Sequence, residues 1–252
     1  MSKFLSCGLL PSGQRSERPL AALDPIGEEY YDAANRMKCE ARGQEEFRMT
    51  IDDPRRKFFD DLAARWDEQE PSERTMTERL AEHADLLALA GGQRLLEVGC
   101  GAGKTTAWLA ARVAPGRVTA IDFSPEMIAK ARSKGIDADF ACMDVCSDDL
   151  GAGRYDVILC FHSFPHFRDQ PAALRSFRRA LKPGGRLIVM HLAGSEQINR
   201  FHAGIDGPVN GDVLLAGAEW GALLSAAGLE QHSLIDREDL FFLSASAAAG
   251  GA

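Results

Sequence analysis

Leu95-Leu96-Glu97-Val98-Gly99-Cys100-Gly101-Ala102-Gly103 reads as an apolar strand that runs through a glycine loop into a helix. Gly99 and Gly101 permit a sharp backbone turn and, without side chains, close approach of a ligand. The helix opened at Gly103 presents free N–H groups to electron-rich atoms. In an open α/β sheet this loop lies beyond the carboxyl ends of the strands, where ligands bind. Three kinds of nucleotide-like ligand use such loops. Gly103-Lys104-Thr105 suggests a phosphate loop, but G-x-x-x-x-G-K needs glycine at 98, which is Val98. The spacing is G-x-G-x-G and not the dinucleotide G-x-G-x-x-G.

Outward from the loop, strands and helices alternate. Strands are predicted at Arg94–Val98, Arg117–Ile121, Ala138–Cys142, Tyr155–Phe161 and Arg186–Met190. Helices are predicted at Gly103–Val113, from Ser124-Pro125 to Lys134, and at Gln170–Leu181 before Lys182-Pro183-Gly184-Gly185. Apolar strands in βα alternation imply a parallel sheet covered on both faces. A helix at Glu219–Ala227 and strands at Glu230–Ile235 and Asp239–Ser244 then predict a C-terminal antiparallel hairpin. Upstream, Asp53-Pro54 starts a helix carrying Phe58, Phe59, Leu62, Ala63 and Trp66 on one face. Pro71-Ser72 opens a second, running to Gly91-Gly92. That aromatic stripe reads as core packing, with a lid over a ligand as the alternative.

The chain has 252 residues, 45% hydrophobic and 26% charged, which suits one α/β domain with an extension. A net charge of −8 disfavours a nucleic-acid partner. The clusters Arg55-Arg56-Lys57 and Arg175/Arg178/Arg179 read as solvated helix faces. Six scattered cysteines without C-x-x-C pairs point to reduced thiols. No apolar run approaches the ~20 residues of a membrane span. The apolar part of Met1–Leu10 is too short for a signal peptide, so a cytoplasmic protein is expected.

Leu95–Gly103 resembles motif I of the class I S-adenosylmethionine-dependent methyltransferases, (L/V)-(L/V)-(E/D)-(V/I)-G-x-G-x-G. Later landmarks follow in the family's order. Asp122 ends the second strand, 19 residues after Gly103, where the family's acid holds both ribose hydroxyls. Phe123-Ser124-Pro125-Glu126-Met127 is similar to a segment that flanks the adenine. Met143-Asp144-Val145 stands where a family acid meets the adenine amino group. Tyr155-Asp156-Val157-Ile158 and Leu181–Gly185 match further landmarks, so the resemblance covers roughly Arg94 to Met190. It implies a seven-stranded Rossmann-like fold with sheet order 3-2-1-4-5-7-6 and S-adenosylmethionine as cofactor. The implied cofactor residues are Glu97, Gly99, Cys100, Gly101, Gly103, Asp122, Phe123, Met127, Met143, Asp144, Val145, Cys160 and Phe161. The chain is also similar to the methyltransferase type 11 group. The segment His191-x3-Ser195-x3-Asn199-x2-His202 with Asp212 resembles a pattern in one uncharacterised subgroup of small-molecule methyltransferases.

Four of the six histidines lie between 162 and 202. In that sheet order the fourth and fifth strands are neighbours, so His162, His166 and His191 converge at one carboxyl-end edge. If 195–202 is helical, Ser195, Asn199 and His202 share a face while Ile198 and Phe201 take another. Such histidines cap strands, or act as bases in methyl transfer, or hold a transition metal through His166, His191 and His202. His162, His166 and His191 are the catalytic candidates, with no metal assigned. Phe58, Trp66, His166, His191, Asn199, His202 and Asp212 are the acceptor-side candidates.

The expected organisation is an N-terminal arm at 1–50, a helical cap at 51–92, a cofactor-binding core at 93–246 and a tail at 247–252. The expected partner is a small-molecule acceptor, without nucleic acid or membrane, for a monomer or homodimer. A non-catalytic S-adenosylmethionine-binding protein is the rival.

Overall fold

The computed structural model describes residues 53–68 and 71–248. Expectations for the arm at 1–50 and for the end of the tail lie outside the described residues. A seven-stranded sheet runs in the order β3-β2-β1-β4-β5-β7-β6. Its strands are β1 (Arg94–Val98), β2 (Arg117–Asp122), β3 (Asp139–Cys142), β4 (Tyr155–Phe161), β5 (Leu181–His191), β6 (Leu229–Arg237) and β7 (Leu240–Ala247). The first five pair in parallel, and β7 pairs antiparallel with both β5 and β6. This is the order and the hairpin that the alternation and the family resemblance imply.

The helices are α1 (Pro54–Ala63), α2 (Glu73–Ala81), α3 (Ala84–Leu87), α4 (Thr106–Val113), α5 (Pro125–Ser133), α6 (Gln170–Ala180), α7 (Ser195–Ala203) and α8 (Glu219–Ala226). Local chemistry sets several starts. Asp53, Ser72, Ser124 and Asp169 each accept a backbone N–H of the first turn, and Pro54 and Pro125 hold helical φ without needing a partner. On α6, Ala173, Leu174, Phe177 and Ala180 face inward while Arg175 and Arg179 face solvent, as the spacing predicts.

Four predicted elements change. The helix expected from Gly103 begins at Thr106, because Gly103 takes φ +74° and stays in the turn. Helix α1 stops at Ala63, so Trp66 lies on a separate 3₁₀ turn, Trp66–Glu68. The second helix breaks between Ala81 and Ala84, where His83 leaves helical geometry. Strand β5 begins at Leu181, because Leu181 pairs with Tyr155 across an irregularity before the regular ladder starts at Arg186.

Apolar side chains pack on both sheet faces. Val98, Ile158, Phe164, Phe177, Trp220 and Phe241 belong to one cluster, and Leu95, Leu109, Val118, Leu159 and Met190 to the other. Trp220 is fully buried, packs in tilted contact with Phe164 (4.8 Å) and Phe241 (5.9 Å), and donates Nε1–H to the Leu215 carbonyl. It thereby supports the turn after β4. No helix among the described residues is long and apolar enough to cross a membrane.

Trp220→Ala is expected to lower stability by about 3–5 kcal/mol, the usual scale for emptying a buried aromatic site. Urea unfolding reads this directly. Trp220→Phe should recover most of the loss, and an unchanged midpoint for the alanine variant would place Trp220 outside the core.

Candidate functional site

A cleft opens at the carboxyl ends of β1, β2 and β4. Val98, Gly99 and Gly101 form part of its lining, with Ile121, Asp122, Phe123 and Met127. Met143, Asp144, Val145 and Cys146 line it from the segment after β3. His162, Ser163, His166, Phe167 and Arg168 line it after β4, and Asp53, Phe59 and Trp66 line it from the N-terminal additions.

The loop geometry explains the glycines. Gly99 has φ +72°, and a Cβ there would meet the Cβ of Ser163 at 2.3 Å. Ser163 donates its hydroxyl to the Val98 carbonyl (2.6 Å), closing the β4 loop onto the β1 loop. Gly101 has φ +53° and lies under Trp66, whose Nε1 would stand 3.4 Å from an added Cβ.

Asp122 ties the same loop to β2. Its carboxylate accepts the Gly101 N–H and the Ser124 N–H, both at 2.9 Å. Burial raises it to about 6 even though both N–H groups favour the charged form. A carboxylate has about four acceptor positions, so two remain for a diol at the cleft. Glu97 is placed differently. It is buried below the loop, with its oxygens taking the Thr105 and Thr106 hydroxyls at 2.6 Å. Burial raises it to about 7, against those two hydroxyls. Cys100, Gly103, Cys160 and Phe161 are buried behind the lining, and burial pushes both thiols well up. Phe123, Met127, Met143, Asp144 and Val145 do line the cleft. Asp144 caps the Cys146 N–H and pairs with Arg168 (2.9 Å).

Helix α1 roofs the cleft. Phe59 packs edge-on against Phe123 (5.8 Å) and His166 (5.2 Å). Ser124 donates its hydroxyl to Asp60, and Lys130 donates to the Ala63 carbonyl. The aromatic stripe is therefore split: Phe59 and Trp66 line the cleft, while Phe58 packs beside Phe59 and Gly207.

The histidines separate into two pairs. His166 lies on the 3₁₀ turn Phe164–His166, and its Nδ1 is 2.7 Å from Asp212 Oδ2. The Asp212 carboxylate is buried, and burial alone would raise it. His166 and Arg55 outweigh that and hold it below the usual carboxylate range. An ionised carboxylate only accepts, so His166 Nδ1 is the donor, and Nε2 carries the lone pair when the ring is neutral. His202 lies 4.9 Å from His166 between ring centres and donates Nδ1–H to the Asp212 carbonyl (2.9 Å).

His162 lines the cleft with φ +54°, and its Nε2 accepts the Leu192 N–H. Desolvation lowers it to about 4. His191 is buried behind it, 5.1 Å away between ring centres, with neither ring nitrogen hydrogen-bonded to protein. Burial and then the His162 ring hold it well below its ordinary value. It packs against Phe241, which pairs with it across β7, and does not line the cleft. Asn199 also stands outside the lining; it accepts the Leu214 N–H and donates to the Leu214 carbonyl. Among the described residues no three His, Cys, Asp or Glu side chains are grouped to hold a metal.

The sequence reading missed Arg55. Its Nε and one terminal nitrogen both stand 2.9 Å from Asp212 Oδ1. Of the run read as a solvated face, Lys57 fits, with an exposed pair to Asp61, whereas Arg55 turns inward. Its place two residues after the N-cap Asp53 was the available signal, since that turn meets the cleft. Ser163 was passed over between two histidines.

Residues 96–189 match the family model described as a methyltransferase domain. The chain is 35% identical over 147 residues to the biotin biosynthesis bifunctional protein BioCD of Bordetella avium (strain 197N), covering 58% of this chain and 31% of that protein. It is 36% identical over 145 residues to a ubiquinone biosynthesis O-methyltransferase of Xanthomonas oryzae pv. oryzae (strain PXO99A), covering 53% and 59%. The chain thus spans less than two thirds of the length of these relatives. A SAM-dependent methyltransferase from Aquifex aeolicus superposes with a TM-score of 0.59 at 22% identity, over 74% of this chain and 97% of that one.

Glu97 sets a pH dependence. Its folded value of about 7 exceeds its ordinary 4.5, so the folded state holds the proton more tightly. Its contribution therefore falls as pH rises through that window. Relative to wild type, Glu97→Gln should gain stability between pH 5 and pH 8 in thermal melts. A difference that is flat with pH would show that Glu97 is ionised throughout.

Proposed function

We propose that this chain, which carries a class I methyltransferase domain, transfers a methyl group from S-adenosylmethionine to a small-molecule acceptor bearing a protonated nucleophile. The observation that carries the reading is a histidine–carboxylate pair, His166–Asp212, at the edge of the cleft formed by the glycine loop and Asp122.

The residues present fit the cofactor. Gly99 and Gly101 leave space that side chains would fill, and Asp122 keeps acceptor capacity beside them. Phe123, Met127, Met143 and Val145 supply apolar walls for an adenine, with Asp144 as the acceptor for its amino group. Asp122 would take both ribose hydroxyls. When bound, S-adenosylmethionine supplies an electrophilic methyl group on a sulfonium cation.

The protein's part in such a displacement is orientation and proton removal. His166 Nε2 would accept the proton of the attacking hydroxyl or thiol as the nucleophile bonds to the methyl carbon and the carbon–sulfur electrons return to sulfur. Asp212 fixes the tautomer and steadies the imidazolium that forms, which is the orienting role a carboxylate plays behind a catalytic histidine. Phe59 and Trp66 would cover the acceptor. Glu97, Cys100, Gly103, Cys160 and Phe161 act on the cofactor through the loop they support. The name of the Xanthomonas relative, an O-methyltransferase, supports a hydroxyl acceptor. A binding protein without turnover has no use for an oriented imidazole at this edge.

Calorimetry and turnover separate the two halves of the site. Asp122→Ala should weaken S-adenosylmethionine binding about 10- to 100-fold, the scale of losing charge-assisted hydrogen bonds. His166→Ala should bind the cofactor normally yet lose most turnover of whichever phenol, alcohol or thiol a labelled-methyl screen identifies. Full affinity in the first variant would overturn the cofactor placement. Normal turnover in the second would overturn the base.

A further inference from the structure

Asp212 receives hydrogen bonds from three elements that lie far apart in the sequence. Oδ2 takes His166 from the turn after β4, Oδ1 takes both nitrogens of Arg55 from α1, and the backbone carbonyl takes His202 from α7. The carboxylate is 1% exposed, so water contributes little to its solvation. An arginine held through two of its nitrogens fixes a carboxylate more tightly than a lone ammonium does. Arg55 also belongs to the helix that brings Phe59 onto the cleft and onto the His166 ring. The helix that roofs the cleft and the arginine that orients the carboxylate are therefore one rigid element.

We propose that Arg55 is a positioning residue that makes the alignment of His166 conditional on α1 lying over the cleft. With α1 docked, Arg55 occupies Oδ1 and leaves Oδ2 to His166 alone. With α1 lifted, Asp212 loses both guanidinium bonds, its carboxylate is free to rotate, and the His166 Nδ1 bond loses its fixed acceptor. Phe59, which restrains the other side of the ring, departs in the same motion. Covering the cleft and aligning the base thus occur together, so an open cleft holds a misaligned base. This deepens the proposed role of His166 and rests on it for its catalytic meaning, although the coupling itself is a property of the fold.

His166 interacts with Asp212, His202, His162, His191 and Asp122, and through Asp212 with Arg55; Asp53, Asp144 and Arg168 line the same cleft, and Asp60 of α1 faces Asp122. Arg55 is the α1 residue that bonds the Asp212 carboxylate. Its removal therefore tests the link between roof and base without deleting a member of the histidine cluster.

The experiment is proton exchange of the His166 Nδ1–H, followed by NMR on histidine-labelled full-length protein with and without S-adenosylhomocysteine. Disappearance of the signal in Asp212→Asn or His166→Gln assigns it. Arg55→Met should speed its exchange at least about ten-fold, the scale of one lost charge-assisted hydrogen bond. Arg55→Lys should restore part of the protection. Lys57→Met, on the exposed side of the same helix, should change nothing. Should Arg55→Met fail to fold, Arg55→Lys decides alone: it retains the charge, and exchange must still be faster than in wild type. Wild-type exchange in both Arg55 variants overturns the proposal. Because this readout needs no acceptor and no turnover, it stands apart from the base assignment. Normal turnover by His166→Ala would remove that assignment and leave the Arg55 coupling intact.

Discussion

The cleft depends on one buried carboxylate, Asp122, accepting backbone N–H groups from two different crossovers. Gly101 N–H belongs to the loop after β1, and Ser124 N–H caps the turn after β2. A buried charge is tolerable only when such donors satisfy it. Here the donors are the backbone of the loops themselves, so satisfying Asp122 also shapes the pocket floor. Ser163 completes the floor from β4 by bonding to the Val98 carbonyl. Removing any of these contacts would let the three loops separate.

A second buried carboxylate, Asp212, organises the His166 side of the cleft by the same logic. The partners of its carboxylate are side chains from α1 and the turn after β4, while His202 of α7 donates to its backbone carbonyl. The two carboxylates divide the work of the site. Asp122, with backbone partners, shapes a binding surface. Asp212, with a histidine and an arginine, sets the direction of a titratable ring. The histidines around them differ for the same physical reason. His166 has a carboxylate partner and touches the cleft, whereas His191 has neither and is held neutral by burial.

The fold was legible because its signals are local. Val98–Gly103 dictates a strand end and a tight turn by residue type, although the helix begins at Thr106 and not at Gly103, and the strand order follows from alternation together with the family landmarks. Of the residues expected at the cofactor, Asp122 ends β2, Phe123 and Met143 follow directly on strand ends, and Met127 and Asp144 stand close behind; all five line the cleft. Glu97, Cys160 and Phe161 were also expected at the cofactor and lie buried outside the cleft lining, since alternation along a strand does not say how deep a side chain sits below the loop. His166 and Asp212 were both singled out, but their pairing spans 46 residues and no local pattern reports it. His191 was drawn towards the cleft because β4 and β5 are neighbours, yet β7 packs Phe241 beside it and covers it. Arg55 escaped notice because an arginine in the first turn of a polar helix looks solvated until its tertiary partner is known.

The proposed function amounts to one arrangement: ribose on Asp122, and the sulfur of the cofactor facing the Nε2 of a histidine held by Asp212. A crystal structure with S-adenosylhomocysteine bound tests it most directly. The ribose hydroxyls should lie within hydrogen-bond distance of the Asp122 carboxylate, with the sulfur on the His166 side of the cleft and Nε2 facing the space between them. A ribose held away from Asp122, or a sulfur pointing away from His166 while the Asp212 bond persists, would contradict it.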